Sequence, residues 1–241
     1  MDQAWFPYVL FWSIGLLFFA VEWTFPARAL RYRSVFLRDL VALGIYNLSF
    51  LVVVQATDRV PIPDYLPPAA REMPTVFKLL IFYVVEDFGL YWMHRLVHTT
   101  YVWPVHRWHH SPAYLYWMAG MRATIPHILL FNCAYVAALP LLKDASGWAF
   151  QFIMVEHIIR NNWMHMNVTW NSSWLEWLFV TPRYHSIHHS VDPNHHRANL
   201  GALLMVWDRL FGTYFDPAKV PLPLSFGITE RVSTARLIAG F

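Results

Sequence analysis

Residues 87–110 read DFGLYWMHRLVHTTYVWPVHRWHH and contain five histidines. Their spacings are H-x-x-x-H and then H-x-x-H-H, at His94, His98, His106, His109 and His110. Residues three and four apart share one face of a helix, so we expect each cluster to aim two or three imidazoles at one point. Neutral imidazole binds iron, zinc, copper and nickel. The stretch therefore predicts a transition-metal site.

A second set of histidines lies downstream, and it repeats the H-x-x-H-H spacing. Its members are His165, His185, His188 and His189. One ion takes about four to six ligands, so the two sets together hold too many imidazoles for a single metal. We therefore expect two ions bridged by an oxygen species, at the separation of about 3.5–4 Å that is typical of paired sites.

The composition indicates a membrane protein. Of the 241 residues, 57% are hydrophobic and only 14% are charged, against about 25% charged in soluble domains. The +3 formal charge comes from arginines near the ends of apolar runs, which favours membrane orientation over nucleic-acid binding. The single cysteine, Cys133, excludes an internal disulfide and a cysteine-based metal cluster.

Apolar runs at residues 5–25, 40–56 and 76–92 predict three spans. The loop after the first run is short and basic, with Arg28, Arg31, Arg33 and Arg38. By the positive-inside rule this loop is cytoplasmic, so we expect the N-terminus outside. Residues 58–74 are rich in proline and predict an irregular outer loop.

Residues 126–142 and 147–159 are also apolar, but each is short for a full crossing. With a turn at residues 143–146 they predict a helical hairpin that returns His165 to the side of residues 94–110. The fold we expect is all-α: one membrane-embedded domain, residues 1–241, with about four hydrophobic segments. A cytosolic histidine-rich cap holds the dinuclear metal site.

Several polar residues have two interpretations. Asp87 lies two helical turns before His94, where it either accepts a hydrogen bond from a ligand histidine or pairs with Arg95 or Arg122. His157 shares a helical stripe with Asn161 and His165, so it is either structural or placed behind a ligand. We interpret His127 as structural, and His195 and His196 as structural or close to substrate.

The role of the residues after the second histidine cluster also has two interpretations. Tyr114, Tyr116, Trp117 and Met118 either line a substrate pocket or simply pack. A polar lipid head group would suit Arg122 or Arg183. The substrate-binding residues are otherwise unknown.

Other classes of site lack their motifs. The chain has no H-E-x-x-H, no G-x-S-x-G and no G-x-G-x-x-G, and it lacks the Glu-x-x-His of soluble di-iron bundles. A nearly all-imidazole dinuclear site at a membrane indicates oxygen chemistry on a lipid. Spacing alone does not choose iron over zinc.

The order of motifs resembles the fatty acid hydroxylase/sterol desaturase superfamily over about residues 80–215. Besides the histidine clusters, the motifs are Asp87, YW at 91–92, HMN at 165–167, TPR at 181–183, N-x-G at 199–201 and WDRLFGTY at 207–214. The resemblance implies an integral-membrane, non-haem di-iron enzyme. Such an enzyme uses O2 and two external electrons to hydroxylate, or alternatively desaturate, a lipid.

The resemblance also implies the ligands, all of them histidines. They are His94, His98, His106, His109, His110, His165, His185, His188 and His189. Several relatives have a further histidine where this chain has Asn161, so Asn161 either ligates weakly or leaves that place to water.

Two iron ions are the implied cofactor, although zinc can replace iron in purified protein. The expected partners are a membrane lipid, O2 and a separate electron donor, either a reductase or a cytochrome b5-like or ferredoxin-like protein. Two rival classes are a zinc-dependent membrane hydrolase and a metal-binding or transport protein.

Overall fold

The protein is all-helical over the part of the chain that the structure describes. A computed structural model describes residues 6–57, 66–168, 170, 172 and 174–241. It contains no β-strand there, only three isolated bridges. The helices are α1 (Phe6–Thr24), α2 (Tyr32–Thr57), α3 (Pro68–Arg71), α4 (Thr75–Val97), α5 (Trp103–Arg107), α6 (Ile125–Ala138), α7 (Gly147–Met164), α8 (Leu175–Leu178), α9 (Pro182–His188), α10 (Val206–Leu210) and α11 (Thr234–Ala239). The predicted all-α class is confirmed.

Among the described residues, three segments are long and apolar enough to cross a membrane. They are Phe6–Thr24, Tyr32–Val52 and Ile125–Leu142, of 19, 21 and 18 residues. At a rise of about 1.5 Å per residue, each approaches the ~30 Å of a hydrocarbon core. The chain is therefore a membrane protein. Of the predicted outer loop, residues 58–65 lie outside the described part.

Helix α4 is not among these three, although its residues 76–92 were expected to be a span. Every 18-residue stretch of α4 carries at least three charged residues, drawn from Lys78, Glu86, Asp87 and Arg95. The first three of these side chains are buried, whereas Phe77, Leu80 and Val84 on other faces are exposed. Composition alone therefore undercounts the apolar surface that α4 presents outward.

The predicted hairpin is present, with one correction. Segment Ile125–Leu142 is not too short, because a 3-10 turn at Leu139–Leu142 extends α6 to 18 residues. Helix α7 has the same length but does not qualify, because its polar residues, among them Glu156, Arg160 and Asn161, lower its mean hydropathy. The turn between the two arms contains Asp144 in the left-handed region, at φ 60°.

Helices α4 and α6 pack closely because the crossing is lined by small residues. A Cβ on Gly89 would lie 2.8 Å from the Cβ of Ala134. Nearby, Leu79, Phe82 and Ile153 form an apolar core among α4, α6 and α7. This core brings the C-terminal ends of α4 and α7, which both carry histidines, to the same region of the molecule.

The aromatic residues after α5 pack in a second core. Tyr114, Tyr116, Trp117 and Met118 are buried in one cluster with residues of α1 and α2. A Cβ on Gly15 of α1 would lie 2.5 Å from the Trp117 ring, so only glycine allows this approach. These four residues therefore pack in the core of the protein, against α1 and α2.

A buried carboxylate joins α1 to the histidine-bearing loops. Glu22 accepts hydrogen bonds from the backbone N–H of Trp117 and of Asn167, both at 2.8 Å, and from the Tyr32 hydroxyl. Residue 167 lies two positions after His165, so this carboxylate holds the segment that follows α7.

Candidate metal centre

The nine predicted ligand histidines come from four parts of the fold. His94 and His98 end α4, while His106 lies in α5 and His109 and His110 directly follow it. His165 ends α7, and the last three lie in or just after α9: His185, His188 and His189. All nine side chains are buried, with at most 7% exposed.

These histidines form two groups, in each of which one nitrogen per residue lies within 4.8 Å of all the others. Group I contains His94, His98, His106, His110 and His188. Group II contains His109, His165, His185 and His189. The groups adjoin, because the rings of His110 and His189 stack with their centroids 4.3 Å apart.

Each H-x-x-H-H motif contributes to both groups. His106 and His110 belong to group I while His109 belongs to group II, and His185 and His189 belong to group II while His188 belongs to group I. The first and last residues of the motif are four apart and share a helical face, whereas the adjacent fourth and fifth residues point about 100° apart. Each cluster therefore aims two imidazoles at one point, as expected, while the third histidine of each H-x-x-H-H motif belongs to the other group.

The nitrogen spacing in group II fits a metal ion. The Nε2 atom of His185 lies 3.0 Å from the Nε2 atom of His189 and 3.2 Å from that of His165. The Nε2 atoms of His165 and His109 are 3.3 Å apart. Ligands about 2.1 Å from one ion and at right angles are about 3 Å apart. A shared ion would turn these crowded lone pairs into bonds.

Group I fits the same test through its unpartnered nitrogens. Within the described part of the chain, the Nε2 atom has no hydrogen-bond partner and is buried in all five members: His94, His98, His106, His110 and His188. A buried polar atom without a partner costs about 1–3 kcal/mol. Five converging lone pairs of this kind are what a metal ion would satisfy.

Burial keeps these imidazoles neutral. It lowers the pKa of His165 to about 4, and it lowers the pKa values of His109 and His185 well below the ordinary range, with neighbouring histidines acting in the same direction. Neutral imidazole is the form that binds metals, so these histidines can bind a metal ion at neutral pH.

Backbone carbonyls set the tautomer of three of the predicted ligands. The Nδ1 atoms of His94, His188 and His165 lie 2.7, 3.0 and 2.7 Å from the carbonyl oxygens of Leu200, Ala198 and Asn161, respectively. A carbonyl only accepts, so each Nδ1 carries the proton and each Nε2 keeps its lone pair for the centre. His106 differs, because its Nδ1 lies 3.1 Å from the Nδ1 of His127.

Asp87 acts on the loop that supplies two of these carbonyls. Its carboxylate accepts from the N–H groups of Leu203 at 2.8 Å and Leu204 at 3.0 Å, and from Trp207 Nε1 at 2.9 Å. Both earlier interpretations of Asp87 are wrong, because it bonds neither a ligand histidine nor Arg95 or Arg122. The backbone N–H groups of residues 203 and 204 bond Asp87 instead, because the loop after α9 reaches back to α4.

Asp208 holds the same loop from its other side. It accepts from the N–H groups of Leu200 at 2.8 Å and Gly201 at 2.7 Å, and from the Thr213 hydroxyl. Two buried carboxylates therefore fix residues 198–208, whose carbonyls orient His94 and His188. The WDRLFGTY motif contains Asp208, but nothing in the spacing of that motif indicates that Asp208 bonds residues 200 and 201.

Asn161 and His157 lie differently with respect to the centre. Asn161 contacts group II through its backbone carbonyl, which accepts from His165. The His157 Nε2 atom lies 2.9 Å from Glu86 Oε1, and this residue belongs to neither histidine group. Its side chain is structural, which is the first of the two interpretations.

Gly120 is a contributor that sequence reasoning missed. A Cβ there would lie 2.5 Å from His165 Nδ1 and 2.6 Å from its Cε1. Only glycine lets residues 119–121 approach the His165 ring this closely. No sequence signal distinguishes this glycine, because the contact joins residues 45 positions apart.

The two arginines considered for a lipid head group are already paired. Arg122 is buried in an ion pair with Asp39 and donates to the Ser111 hydroxyl at 3.0 Å. Arg183 pairs with Glu176. Neither arginine is therefore an unpaired cation.

The loop histidines His195 and His196 differ in position. His195 Nδ1 lies 2.6 Å from the Ser190 hydroxyl, which is a structural contact. The ring of His196 lies beside Trp103 and His98, with centroids 4.2 and 4.9 Å away. His196 is thus a neighbour of group I.

A cavity of about 720 Å³ adjoins the histidine stretch. Its wall includes Trp108 and Ser111, on either side of His109 and His110, and three arginines: Arg38, Arg122 and Arg231. Val41, Ile228 and Leu237 are among its apolar lining residues. The cavity therefore combines basic and apolar walls.

Known proteins are similar to the part of the chain that builds this centre. The chain is 32% identical over 164 residues to an ornithine lipid hydroxylase of Rhizobium tropici, covering 67% of this chain and 49% of the relative. It is 29% identical over 150 residues to an alkylglycerol monooxygenase of Xenopus tropicalis, covering 61% and 32%. A very-long-chain aldehyde decarbonylase of Oryza sativa subsp. indica is 30% identical over 147 residues, covering 60% and 54%.

The chain spans about a third to a half of the length of these curated relatives. No solved structure is significantly similar to it. The model of the family described as fatty acid hydroxylase matches residues 79–213, which is more than half of the chain and includes all nine histidines. The resemblance drawn from the motifs is confirmed: the chain belongs to the fatty acid hydroxylase family.

Proposed function

We propose that the protein is a membrane-bound, non-haem di-iron oxygenase that hydroxylates an unactivated C–H bond of a lipid. One observation carries the proposal: nine buried imidazoles form two adjacent groups whose inward nitrogens have, among the residues that the structure describes, no partner except one another. A solvent-facing histidine cluster would not require an ion. Buried lone pairs at this density do, because burial without a partner is costly.

Each group would hold one iron: group I through five histidines, and group II through four. The ninefold imidazole donor set suits iron, although it also binds zinc. When bound, the iron pair supplies O2 activation. Several relatives have a further histidine at the position of Asn161, and we propose that the Asn161 side chain or a water completes the coordination in group II.

The chain's own residues place and protect this centre. The carbonyls of Leu200, Ala198 and Asn161 hold three ligand rings in one tautomer, and Asp87 and Asp208 hold the loop that carries two of those carbonyls. The burial of all nine side chains keeps water away from the reacting carbon. Orientation and exclusion of water are thus the contributions of the protein.

The reaction needs reactants that the chain does not contain. Hydroxylation converts R–H, O2, two electrons and two protons into R–OH and water. The two electrons must come from a separate donor, for which a reductase or a cytochrome b5-like or ferredoxin-like protein is suitable. The relatives named for alkylglycerol and ornithine lipid suggest polar lipids as the first substrates to test.

The proposed topology follows from charge. Arg28 and Arg31 lie between α1 and α2, and Arg33 lies in the first turn of α2, which indicates that this connection is cytoplasmic and that the N-terminus lies outside. The connection contacts the segment just after His165, because Pro26 forms a bridge with Val168 and the N–H of Ala27 donates to the Asn167 carbonyl. The histidine centre would therefore face the cytoplasm, in a single domain spanning residues 1–241.

The test combines metal content with product analysis. Protein purified in detergent after growth with iron should contain about two irons per chain. With a polar lipid extract, an electron donor and isotopically labelled O2, one labelled oxygen atom should enter a lipid product. Loss of two hydrogens without oxygen would instead identify a desaturase.

Two results would contradict the proposal. Product formation that needs neither O2 nor a reductant would identify a hydrolase, and folded protein with one metal or none would remove the dinuclear centre. His157→Gln serves as the matched control, because it alters a histidine outside both groups and should retain metal and activity.

A further inference from the structure

The segment between α7 and α9 exposes an unusual set of aromatic side chains. Trp174 is 74% exposed and Trp177 is 70% exposed, and Trp170, Leu178 and Phe179 are exposed beside them. We call these five residues the tryptophan ledge. Single exposed apolar residues are ordinary on a protein surface, but five large ones within ten residues of sequence indicate an interaction site.

The one ionisable residue of this segment points inward. Between residues 168 and 180 the sequence contains a single charged residue, Glu176. Its carboxylate is buried, where it accepts from Thr181 at 2.9 Å and pairs with Arg183. Helix α8 therefore hides its charge and exposes tryptophan, which is the reverse of a helix that faces water.

The ledge begins where a candidate membrane span ends. Pro26, just after α1, forms a bridge with Val168, and the N–H of Ala27 donates to the Asn167 carbonyl at 3.2 Å. At the same end of α1, Trp23 is 63% exposed and Phe25 is 50% exposed. The aromatic surface of the span thus continues into the ledge.

We propose that the tryptophan ledge lies in the interfacial region of a phospholipid bilayer and anchors the histidine cap to its surface. Indole combines a large apolar ring with one N–H donor, so tryptophan is enriched where hydrocarbon meets head groups. The continuity with α1 and the lack of outward charge favour lipid over a protein partner, whose interface would not need to follow the end of a span.

The anchor acts on the metal centre through Glu176. This carboxylate bonds Thr181 and Arg183, which begin α9, and α9 carries His185 and His188. Leu175 and Phe179 also line a cavity of about 270 Å³ together with Trp163. Seating the ledge in the interface would hold α9 and the mouth of this cavity at the level of the lipid.

Site-directed fluorescence tests the position of the ledge directly. In a Cys133→Ser background, Trp177→Cys is labelled with an environment-sensitive nitrobenzoxadiazole probe and reconstituted into phosphatidylcholine vesicles. Lys219→Cys is the matched control, because the Lys219 side chain is 79% exposed in a charged segment. Nitroxide-labelled phosphatidylcholine should quench the probe at 177 at least about threefold more than the probe at 219, with a blue-shifted emission.

Other outcomes overturn the proposal. Equal, weak quenching by lipid and strong quenching by aqueous iodide at 177 would place the ledge in water. Protection from both quenchers would mean that protein covers it. Trp174→Cys gives an independent reading if Trp177→Cys does not fold, and neither measurement depends on which metal is bound, so this test is separate from that of the proposed function.

Discussion

The outer helices α1 and α2 and the histidine region of this protein are stabilised by different kinds of interaction. On α1 and α2, large apolar side chains face outward, such as Leu16 at 68% and Leu37 at 75% exposed, and lipid is their solvent. In the histidine region, nine imidazoles and two carboxylates are buried and are held by specific hydrogen bonds. The first region tolerates loose packing against a fluid, whereas the second depends on single atoms.

This difference predicts how mutations divide between the two regions. Apolar contacts with lipid are numerous and individually weak, so the loss of one changes little. A buried polar atom that loses its partner costs about 1–3 kcal/mol and moves its neighbours. Equivalent substitutions should therefore have large effects in the histidine region and small ones on the outer helices.

The largest effect is expected for His188→Ala, which removes a nitrogen of group I. Metal content should fall, and turnover should drop by more than about 100-fold. This exceeds the loss that is typical when a residue that supports a ligand is removed. Leu17→Ala, at a position 61% exposed on α1, should leave both unchanged. Elemental analysis and lipid product assays measure the two variants, and a fully active His188→Ala would remove group I as a metal site.

Gly120→Ala and Gly44→Ala compare one added methyl group in the two regions. The methyl at Gly120 would lie 2.5 Å from His165 Nδ1, while at Gly44 nothing lies within 4 Å. We expect Gly120→Ala to displace His165 and to lose the metal of group II, leaving about one metal per chain. The number of metal ions per chain, measured by elemental analysis, tests this prediction. Two metals in Gly120→Ala would show that the ring can shift without losing its ligand role.

Asp87→Asn and Glu86→Gln compare adjacent buried carboxylates of α4. Asp87 holds the loop behind His94, while Glu86 bonds Arg160 and His157. We expect Asp87→Asn to weaken metal affinity by about 10–100-fold, because an amide cannot accept all three hydrogen bonds equally well. Glu86→Gln should reduce thermal stability with little effect on metal affinity. Competition with a chelator measures both, and equal affinities would sink the positioning role of Asp87.

The smallest effect is expected for Asn161→Ala. The contact of Asn161 with His165 comes from its backbone carbonyl, which alanine retains. Metal content should stay near that of the unmodified protein, with affinity within about threefold. A specific loss of the group II metal would instead show that the Asn161 side chain is itself a ligand.

Much of this architecture could be predicted because its signals are local. Apolar runs of sufficient length identified α1 and α2, and the histidine spacings identified all nine residues that the structure brings together. The hairpin through residues 125–164 followed from its central turn. These features depend on which residues are near one another in the chain.

The errors arose where a contact joins distant parts of the chain. Asp87 bonds residues 203, 204 and 207, more than a hundred positions away, so helical periodicity pointed to the wrong partners. Gly120 contacts His165 across 45 positions, and no spacing rule identifies it. The length of the α6 segment was underestimated because a 3-10 turn extends it.

The sequence by itself determined that this is a helical membrane protein of the fatty acid hydroxylase family with a dense set of histidines. Only the tertiary structure decided how those histidines divide, since each H-x-x-H-H motif sends neighbouring rings to different groups. The physical reason is that helical geometry sets the angle between two side chains, whereas the point at which they converge depends on where other helices place their own ligands.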